Sequence, residues 1–316
     1  MNEHFAYLRN SIEKNSSDPV GEKSLHGLVK ELNAITGLYW IVCSWKLLES
    51  IAEDLPEDSN EMHARFKHIF KTLVSQERVI VPNEDGGLLR SYSLVQLSLM
   101  LGTQQTEVKR VSSETVLMLE NFFMTKSFPF WFDMRSLYCL LGILKLTGQQ
   151  VPSEICSWLS EWITSSQAPL GGFGSNPKGE PHSGYTFCAV SSLIMLGHSS
   201  VFHQDRLFAW LRSRLSPRFN GRPGKPSDSC YVWWNCATMK NLGSLESEIF
   251  SKIEGILMTN FSTRGGGFSK YPSVRIPGDD SSVHGKQDAD LFHTFLAICA
   301  IALFRNRVDS VTVLPI

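Results

Sequence analysis

The chain has 316 residues, of which 42% are hydrophobic and 19% are charged, and its formal net charge is -1. This length and apolar content allow one large core or two domains, and a near-neutral charge without runs of Lys and Arg argues against a nucleic-acid-binding surface. The seven cysteines are scattered, mostly within apolar runs, as is typical of buried thiols in an intracellular protein. No basic and then apolar leader opens the chain and no apolar run is long enough for a transmembrane segment, so we expect a soluble cytoplasmic protein.

The chain begins with a polar segment, residues 1–23, in which Phe5, Leu8 and Ile12 form one helical stripe, and this pattern predicts a peripheral helix. Beyond it, two kinds of helical segment alternate with a repeat of roughly 45 to 60 residues, a length typical of stacked or closed repeat folds. One kind is apolar on nearly all sides and predicts buried inner helices, and the other has one apolar stripe and predicts outer helices. The inner helices are predicted at 36–48, 91–102, 135–148, 184–197, 228–243 and 290–304, and the outer helices at 63–74, 112–123, 153–164, 205–215 and 245–258.

Strand signals are weak, since no alternating runs are joined by Asn-Gly or Asp-Gly turns. The chain is therefore predicted to be all-α, with about twelve helices. Six inner helices surrounded by six outer helices would bury the first set and half-bury the second, as in an α/α barrel. An open helical solenoid would bury the same faces, so periodicity alone leaves closure undecided.

Unusual residues gather in the loops just before the inner helices. Glycine pairs or triplets, which allow tight entry into a helix, precede the second, fourth and sixth of them. If the inner helices run parallel, the residues at their beginnings meet at one end of the barrel and form a single site. These residues are Asp133 and Arg135 at the third inner helix, His182 at the fourth, the stretch 222–230 at the fifth, and Asp290 and His293 at the sixth.

Asp228 and Cys230 are two metal-ligand side chains at the start of the fifth inner helix. A thiol ligand favours zinc over magnesium or calcium, and a catalytic zinc site uses about three protein ligands and one open position. We predict His293 as the third ligand, because it lies at the same rim. The alternatives are that His293 is a satisfied core histidine, that a polar loop merely enters a buried aromatic helix at Asp228, or that His284 is the ligand.

The same region offers hydrogen-bond donors and positive charge to an anion. Arg222 and Lys225 lie three residues apart, and arginine binds phosphate through two parallel hydrogen bonds. With Tyr231, His182 and Arg135 they form a predicted phosphate site, whose donors would stabilise a departing diphosphate. No Gly-Lys-Ser/Thr phosphate-binding loop is present, which argues against a nucleoside triphosphate site. The alternative is that Arg222 and Lys225 belong to a solvated loop.

From about residue 25 onward the chain resembles the β subunits of the protein prenyltransferases. The resemblance is carried by Gly-Gly-Phe-Gly with the later His182-Ser-Gly, by the stretch 220–234, and by Asp290-Leu-Phe-His-Thr. It implies a single α/α barrel domain of six helix pairs over residues 1–316, and an obligate α subunit. It also implies one Zn²⁺ on Asp228, Cys230 and His293, with Asp290 as the acidic residue beside it, and diphosphate binding by His182, Arg222, Lys225 and Tyr231.

Within this family the chain is most similar to the β subunit of type II (Rab) geranylgeranyltransferase, which implies geranylgeranyl diphosphate as the lipid donor and Rab GTPases, presented by a Rab escort protein, as acceptors. The similarity lies in Thr36-Gly-Leu-Tyr-Trp, in Tyr-Val-Trp-Trp and in the tail 311–315. The type I enzyme is nearly as similar. The farnesyl enzyme is less so, because it has a bulky Trp at the pocket floor where this chain has Thr36. The lipid pocket is predicted to comprise Thr36, Tyr39, Tyr138, Phe187, Trp234 and Phe292.

The chain departs from the family pattern in three places. Pro217-Arg218-Phe219 replaces a glycine pair, the second and third repeats lack their glycine turns, and an extra polar loop lies between Lys270 and Asp288. Two other function classes remain open. A terpene cyclase on a related barrel would use carboxylate clusters, for which Asp279-Asp280 is the one acidic pair nearby, and a helical-repeat scaffold would have no catalysis.

Overall fold

The computed structural model describes residues 1–13, 34–76, 86–215, 219–244, 247–276 and 287–316. Within these ranges the chain forms twelve α-helices and, apart from isolated bridges, no β-strand, so the all-α prediction is confirmed. No helix among the described residues is long and apolar enough to cross a membrane. Several features of the sequence fall outside these ranges: residues 14–23 of the predicted first helix, Pro217 and Arg218, most of the extra polar loop with Asp279-Asp280, and His284.

The inner helices are nearly apolar all round, and their side chains are buried along most of their length. The predicted positions agree with the observed helices to within a few residues at each end. The six inner helices are α2 (Ala34–Ile51), α4 (Gly87–Leu101), α6 (Met134–Leu146), α8 (Ser183–Met195), α10 (Cys230–Asn241) and α12 (Leu291–Phe304).

The outer helices each bury one stripe. In α7, for example, Ile155, Leu159 and Ile163 are buried at a helical spacing of four, while the opposite face is solvated. Each outer helix packs against the inner helix that follows it in the chain. The six are α1 (Asn2–Glu13), α3 (Ser59–Gln76), α5 (Gln105–Thr125), α7 (Ser153–Ser165), α9 (Gln204–Leu215) and α11 (Ser247–Ile256), the last continuing into a π-helical turn (Leu257–Phe261).

The inner helices form a closed ring. Each packs on its two neighbours in the order α2, α4, α6, α8, α10 and α12, and α12 packs back onto α2. The helices run parallel, since residues at similar depth meet across each interface: Tyr39 contacts Phe295, with ring centroids 5.3 Å apart, and Phe187 contacts Trp234 at 5.1 Å. The barrel is therefore closed and not an open solenoid, and all six inner helices begin at one end, which we call the rim.

The first helix contributes to the core through its apolar stripe. Phe5 and Leu8 are almost completely buried, and the ring of Phe5 packs edge-on against Trp45 of α2 at 4.9 Å. Pairing of α1 with α2 gives the barrel its sixth outer helix. The helix predicted over residues 1–23 is observed as far as Glu13, where the described part of this segment ends.

The C-terminal segment closes the end of the barrel opposite the rim. It follows α12, and its backbone carbonyls accept hydrogen bonds from side chains inside the ring. Tyr39 donates to the carbonyl of Val313 over 3.0 Å, Gln96 to that of Thr312 over 2.8 Å, and Tyr138 to that of Val311 over 2.8 Å. These bonds satisfy polar groups that would otherwise be buried without partners, so the barrel has a rim that opens outward and a closed floor.

Candidate functional site

Three potential metal ligands converge at the rim between α10 and α12. One ligand atom each from Asp228, Cys230 and His293 lies within 4.8 Å of the others, and His293 Nε2 is 3.3 Å from Asp228 Oδ1. All three residues are buried, with relative exposures of 6%, 5% and 8%. Nowhere else in the described ranges do three His, Cys, Asp or Glu side chains meet this closely. The structure thus brings together two residues that are close in sequence and a third from the last inner helix.

The loop before α10 holds Asp228 and Cys230 in place. The Asp228 carboxylate accepts the backbone N–H of Cys230 at 3.0 Å, and the Asp228 N–H donates to the carbonyl of Phe219 at 2.8 Å. The next residue, Ser229, donates its N–H to the carbonyl of Lys270. Backbone hydrogen bonds to Phe219 and Lys270 therefore hold this loop on two sides and fix the positions of both ligands.

Asp290 orients His293. It is the N-cap of α12, and its carboxylate accepts both the backbone N–H of His293 at 2.9 Å and His293 Nδ1 at 2.6 Å. Because a carboxylate only accepts here, Nδ1 carries a proton, and Nε2 faces Asp228 and Cys230, where it can act as a ligand once its own proton is displaced. Asp290, predicted as an acidic catalytic residue beside the metal site, lies next to the three converging ligands and contacts His293 on the ring nitrogen that faces away from Asp228.

Burial and neighbouring charge set the protonation of this group. Burial lowers the pKa of His293, but the hydrogen bonds to Asp228 and Asp290 more than offset it and raise the pKa to about 9. Burial, reinforced by Asp228, raises the pKa of the Cys230 thiol well above its usual value. The pocket therefore holds a proton on each of two ligands, which a divalent cation would displace. One nitrogen, one sulfur and one carboxylate oxygen, with a side open to the adjoining cavity, fit zinc.

A cavity of about 430 Å³ adjoins this group and has the character of an anion site. His182, the N-cap of α8, accepts the N–H of Gly184 on Nδ1, so its Nε2–H donates to the Tyr231 hydroxyl at 3.0 Å. Burial, with a further contribution from the charge of Arg222, lowers the pKa of His182 and keeps it neutral. The described lining residues are Arg135, His182, Gly184, Tyr185, Cys188, Arg222, Cys230, Tyr231, Trp234 and Phe292.

Four of the five predicted phosphate-binding residues line this cavity. Lys225 does not, and its side chain is exposed on the loop before α10. Gly221 is necessary for the position of Tyr231, because a Cβ there would lie 2.4 Å from the tyrosine ring. The structure therefore brings four of the predicted residues to one cavity and leaves Lys225 exposed outside its lining.

Each arginine of the cavity already has a carboxylate partner. Arg222 pairs with Glu180, and Arg135 donates to the carboxylate of Asp133 through Nε at 2.9 Å and Nη2 at 2.6 Å. An incoming anion therefore shares these two cations with existing partners. The sequence analysis did not predict Glu180 as part of the site. Its position two residues before His182 could have indicated that it lies at the same rim.

A second cavity of about 340 Å³ extends from the first into the barrel. The two cavities are adjacent, because Arg135, Cys188, Trp234 and Phe292 line both. Its walls are mainly aromatic, which suits a long apolar chain. Five of the predicted pocket residues line it, namely Tyr39, Tyr138, Phe187, Trp234 and Phe292, together with Trp40, Tyr92, Gln96, Trp131, Trp233, Phe295 and, at the floor, Val313.

Thr36, predicted at the pocket floor, is not among the residues that line this cavity. It lies in the first turn of α2, at the rim end, and its short side chain accepts a hydrogen bond from Ser93 of α4 at 3.3 Å. The floor is formed instead by the C-terminal segment at Val313. Sequence reasoning missed this because contacts between the tail and the inner helices leave no local pattern.

Comparisons with known proteins agree with this architecture. The chain is 28% identical over 188 residues to the geranylgeranyl transferase type-1 subunit beta of Arabidopsis thaliana, covering 55% of this chain and 46% of that protein. It is 26% identical over 176 residues to the geranylgeranyl transferase type-2 subunit beta of Saccharomyces cerevisiae, covering 54% and 50%. The matches span half or less of the length of these relatives.

A solved structure and a family model match nearly the whole chain. The structure, Candida albicans protein geranylgeranyltransferase-I complexed with GGPP, superposes with a TM-score of 0.62 over 99% of this chain and 95% of its own, at 16% identity, and so shares the fold. The family model, described as the prenyltransferase alpha-alpha toroid domain, matches residues 1–315. The chain therefore belongs to the prenyltransferase alpha-alpha toroid family.

Proposed function

We propose that this chain is the catalytic β subunit of a zinc-dependent protein prenyltransferase. One observation carries the proposal: a buried set of three ligands, Asp228, Cys230 and His293, adjoins a cavity that is cationic at the rim and aromatic further in. A phosphorylated apolar chain is the ligand that such a cavity fits, and a soft metal beside its polar end is where a cysteine sulfur would be activated.

In the proposed reaction a cysteine thiolate of the acceptor protein attacks the first carbon of the prenyl diphosphate. The new bond is the carbon–sulfur bond, the carbon–oxygen bond to the diphosphate breaks, and the thiol proton is released to solvent. Asp228, Cys230 and His293 would hold the zinc, which when bound would supply Lewis acidity that favours the thiolate at neutral pH. Asp290 fixes the imidazole of His293 so that its Nε2 stays available as a ligand.

The other residues of the cavity act on the lipid diphosphate. The Tyr231 hydroxyl, which accepts from His182, directs its own hydrogen to the departing diphosphate. The guanidinium of Arg222, with that of Arg135, balances the negative charge that develops there, and preplaced donors of this kind lower the barrier. The aromatic walls hold the isoprenoid and exclude water from the reacting carbon.

We further propose geranylgeranyl diphosphate as the donor and escorted Rab GTPases as acceptors, with type I acceptor peptides as the alternative. The support comes from the motifs around Thr36 and Trp234, which favour type II, since the relatives at 26% to 33% identity include farnesyl as well as type I and type II geranylgeranyl transferase β subunits. On the same basis we propose an α subunit as the obligate partner and the cytoplasm as the compartment. The single-domain organisation over residues 1–316 is part of this proposal.

The test is a prenyl-transfer assay on the chain purified with its α subunit. Labelled geranylgeranyl or farnesyl diphosphate is offered with either a Rab and its escort protein or a peptide ending in Cys-aliphatic-aliphatic-Leu. Geranylgeranyl labelling of the escorted Rab alone supports type II, and labelling of the peptide supports type I. A complex that contains zinc and labels neither acceptor contradicts the proposed activity.

Metal content separates the proposal from its two rivals. A helical scaffold would bind no zinc stoichiometrically, and a terpene cyclase would depend on magnesium held by carboxylates. The described residues favour zinc, since the ligand set at the rim contains a thiol and an imidazole. Elemental analysis of the purified complex, followed by activity with and without added magnesium, distinguishes the three.

A further inference from the structure

The first helix contacts the glycine turn that precedes α12, residues 265–268. His4 Nδ1 accepts the backbone N–H of Gly267 at 2.9 Å, and its ring stacks on Phe268 with centroids 4.7 Å apart and an interplanar angle of 17°. His4 is only 3% exposed. A buried polar side chain with one specific partner is better suited to fixing a geometry than to general packing.

The approach of α1 to this turn leaves no spare room. Gly266 has φ of 78°, and a Cβ at this position would lie 1.9 Å from the carbonyl oxygen of Glu3. The Tyr7 side chain packs against Gly266 and Gly267, and its hydroxyl interacts with Thr294. The glycine turn and α1 are therefore in close contact, and a larger residue at Gly266 would force them apart.

From this turn, hydrogen bonds lead directly to the metal ligand. The N–H of Phe268 donates to the Thr294 hydroxyl at 2.9 Å, and the N–H of Asp290 donates to the carbonyl of Phe268 at 3.3 Å. Asp290 in turn holds His293 through its backbone N–H and Nδ1. The position of Phe268 thus sets the first turn of α12, which carries His293.

The fourth repeat has the same arrangement with a different neighbour. There the N–H of Phe173 donates to the hydroxyl of Thr186 at 2.9 Å, just after the N-cap His182. The residue that packs on Phe173 is Phe202, in the segment leading to the next outer helix. In the sixth repeat the ring that packs on the equivalent residue, Phe268, is that of His4. The N-terminal helix therefore provides the contact that the following segment provides in the fourth repeat.

We propose that α1 is a positioning element for the metal centre and that His4 is its main contact. His4 holds Gly267 and Phe268, these hold Thr294 and Asp290, and Asp290 holds the imidazole of His293. The inference rests on the proposed zinc site and assigns to the N-terminal helix a role in metal affinity that lies beyond the completion of the outer layer.

The test is the zinc affinity of the full chain in complex with its α subunit, measured by competition with a chromophoric chelator and by the absorption of the cobalt-substituted protein. In His4→Ala the dissociation constant for zinc should rise about ten-fold, at the lower end of the range for residues that support a ligand. His4→Asn, whose Oδ1 replaces Nδ1 as acceptor, should restore it to within about two-fold.

The matched control is Arg9→Ala, a change on the same helix α1 that removes the 2.6 Å ion pair with Asp58, a residue outside that helix, and leaves the glycine turn untouched. Equal zinc affinities in His4→Ala and wild type, or equal losses in His4→Ala and Arg9→Ala, overturn the inference. If His4→Ala does not fold, Tyr7→Phe replaces it, with a rise of about three-fold expected from loss of the Thr294 contact and no rise contradicting the proposal. A wild-type complex that binds no zinc overturns the metal centre itself.

Discussion

His182 Nε2 and the Tyr231 hydroxyl lie 3.0 Å apart, and the direction of their hydrogen bond follows from a third group. Because His182 Nδ1 accepts the N–H of Gly184, Nε2 must be the donor and the tyrosine oxygen the acceptor. The hydrogen of the Tyr231 hydroxyl is therefore left to point elsewhere in the cavity. This relationship leaves Tyr231 as a directed hydrogen-bond donor at the rim, which is the role that the proposed reaction requires towards a departing diphosphate.

Replacement of Tyr231 by Phe should slow prenyl transfer. We expect a loss of about 100-fold in the single-turnover rate, since one preplaced donor to a developing negative charge contributes at that level. The affinity for lipid diphosphate should fall less, because the arginines remain. Tyr271→Phe, outside the residues that line the cavity, is the matched control. Equal rates for Tyr231→Phe and wild type would remove Tyr231 from the reaction.

Replacement of Cys230 by Ala should abolish bound zinc and protein prenylation but leave binding of the lipid diphosphate largely intact. The thiol is one of three converging ligands, while the anion donors lie on other residues. Elemental analysis and a fluorescent lipid-diphosphate titration measure the two properties separately. Cys236→Ala, at the buried cysteine six residues further along the same helix, should keep its zinc. Unchanged zinc content in Cys230→Ala contradicts the assignment.

Replacement of Thr36 by Trp should shift the lipid preference towards farnesyl diphosphate. Thr36 lies one helical turn before Trp40, which lines the apolar cavity, so the two residues share a face of α2. Thr36 is buried and bonded to Ser93, so an indole at this position has no space beside α4 and would be forced towards the neighbouring apolar cavity, where it reduces the space available to the lipid. The ratio of turnover with the two lipids is measured for Thr36→Trp and for the near-isosteric Thr36→Val. Undiminished use of geranylgeranyl diphosphate by the Trp variant would show that this position does not limit chain length.

His4 should make the stability of the chain depend on pH. Burial lowers the pKa of His4 to about 4 in the folded chain, against 6.5 when exposed. Between these two pH values the unfolded chain binds a proton on His4 and the folded chain does not. The contribution of His4 to the free energy of unfolding is therefore complete above about pH 6.5 and is lost as the pH falls towards 4. The free energy of unfolding of wild type, taken relative to that of His4→Asn, should fall by about 3 kcal/mol between pH 6.5 and pH 4, as followed by urea unfolding. A difference that does not change with pH would show that His4 is not buried in its neutral form.

Much of the architecture was predictable because helix periodicity is local. The outer helix predicted at 153–164 is observed as Ser153–Ser165, and the inner helices agree similarly. Asp228 and Cys230 were also recognisable as a pair, since a spacing of two brings both to the start of one helix. His293 required the additional hypothesis that the inner helices run parallel, which the structure bears out by placing its Nε2 3.3 Å from Asp228.

The amino-acid sequence by itself determined the helices, their inner or outer character and the ligand types at the rim, because each of these depends on residues within a few turns of one another. Only the tertiary structure decided that α12 closes onto α2, that the floor of the cavity is Val313 and not Thr36, and that His4 supports the turn before His293. These contacts join residues more than 200 positions apart. Their free energy depends on shape and burial in the assembled barrel, which no local pattern of residues records.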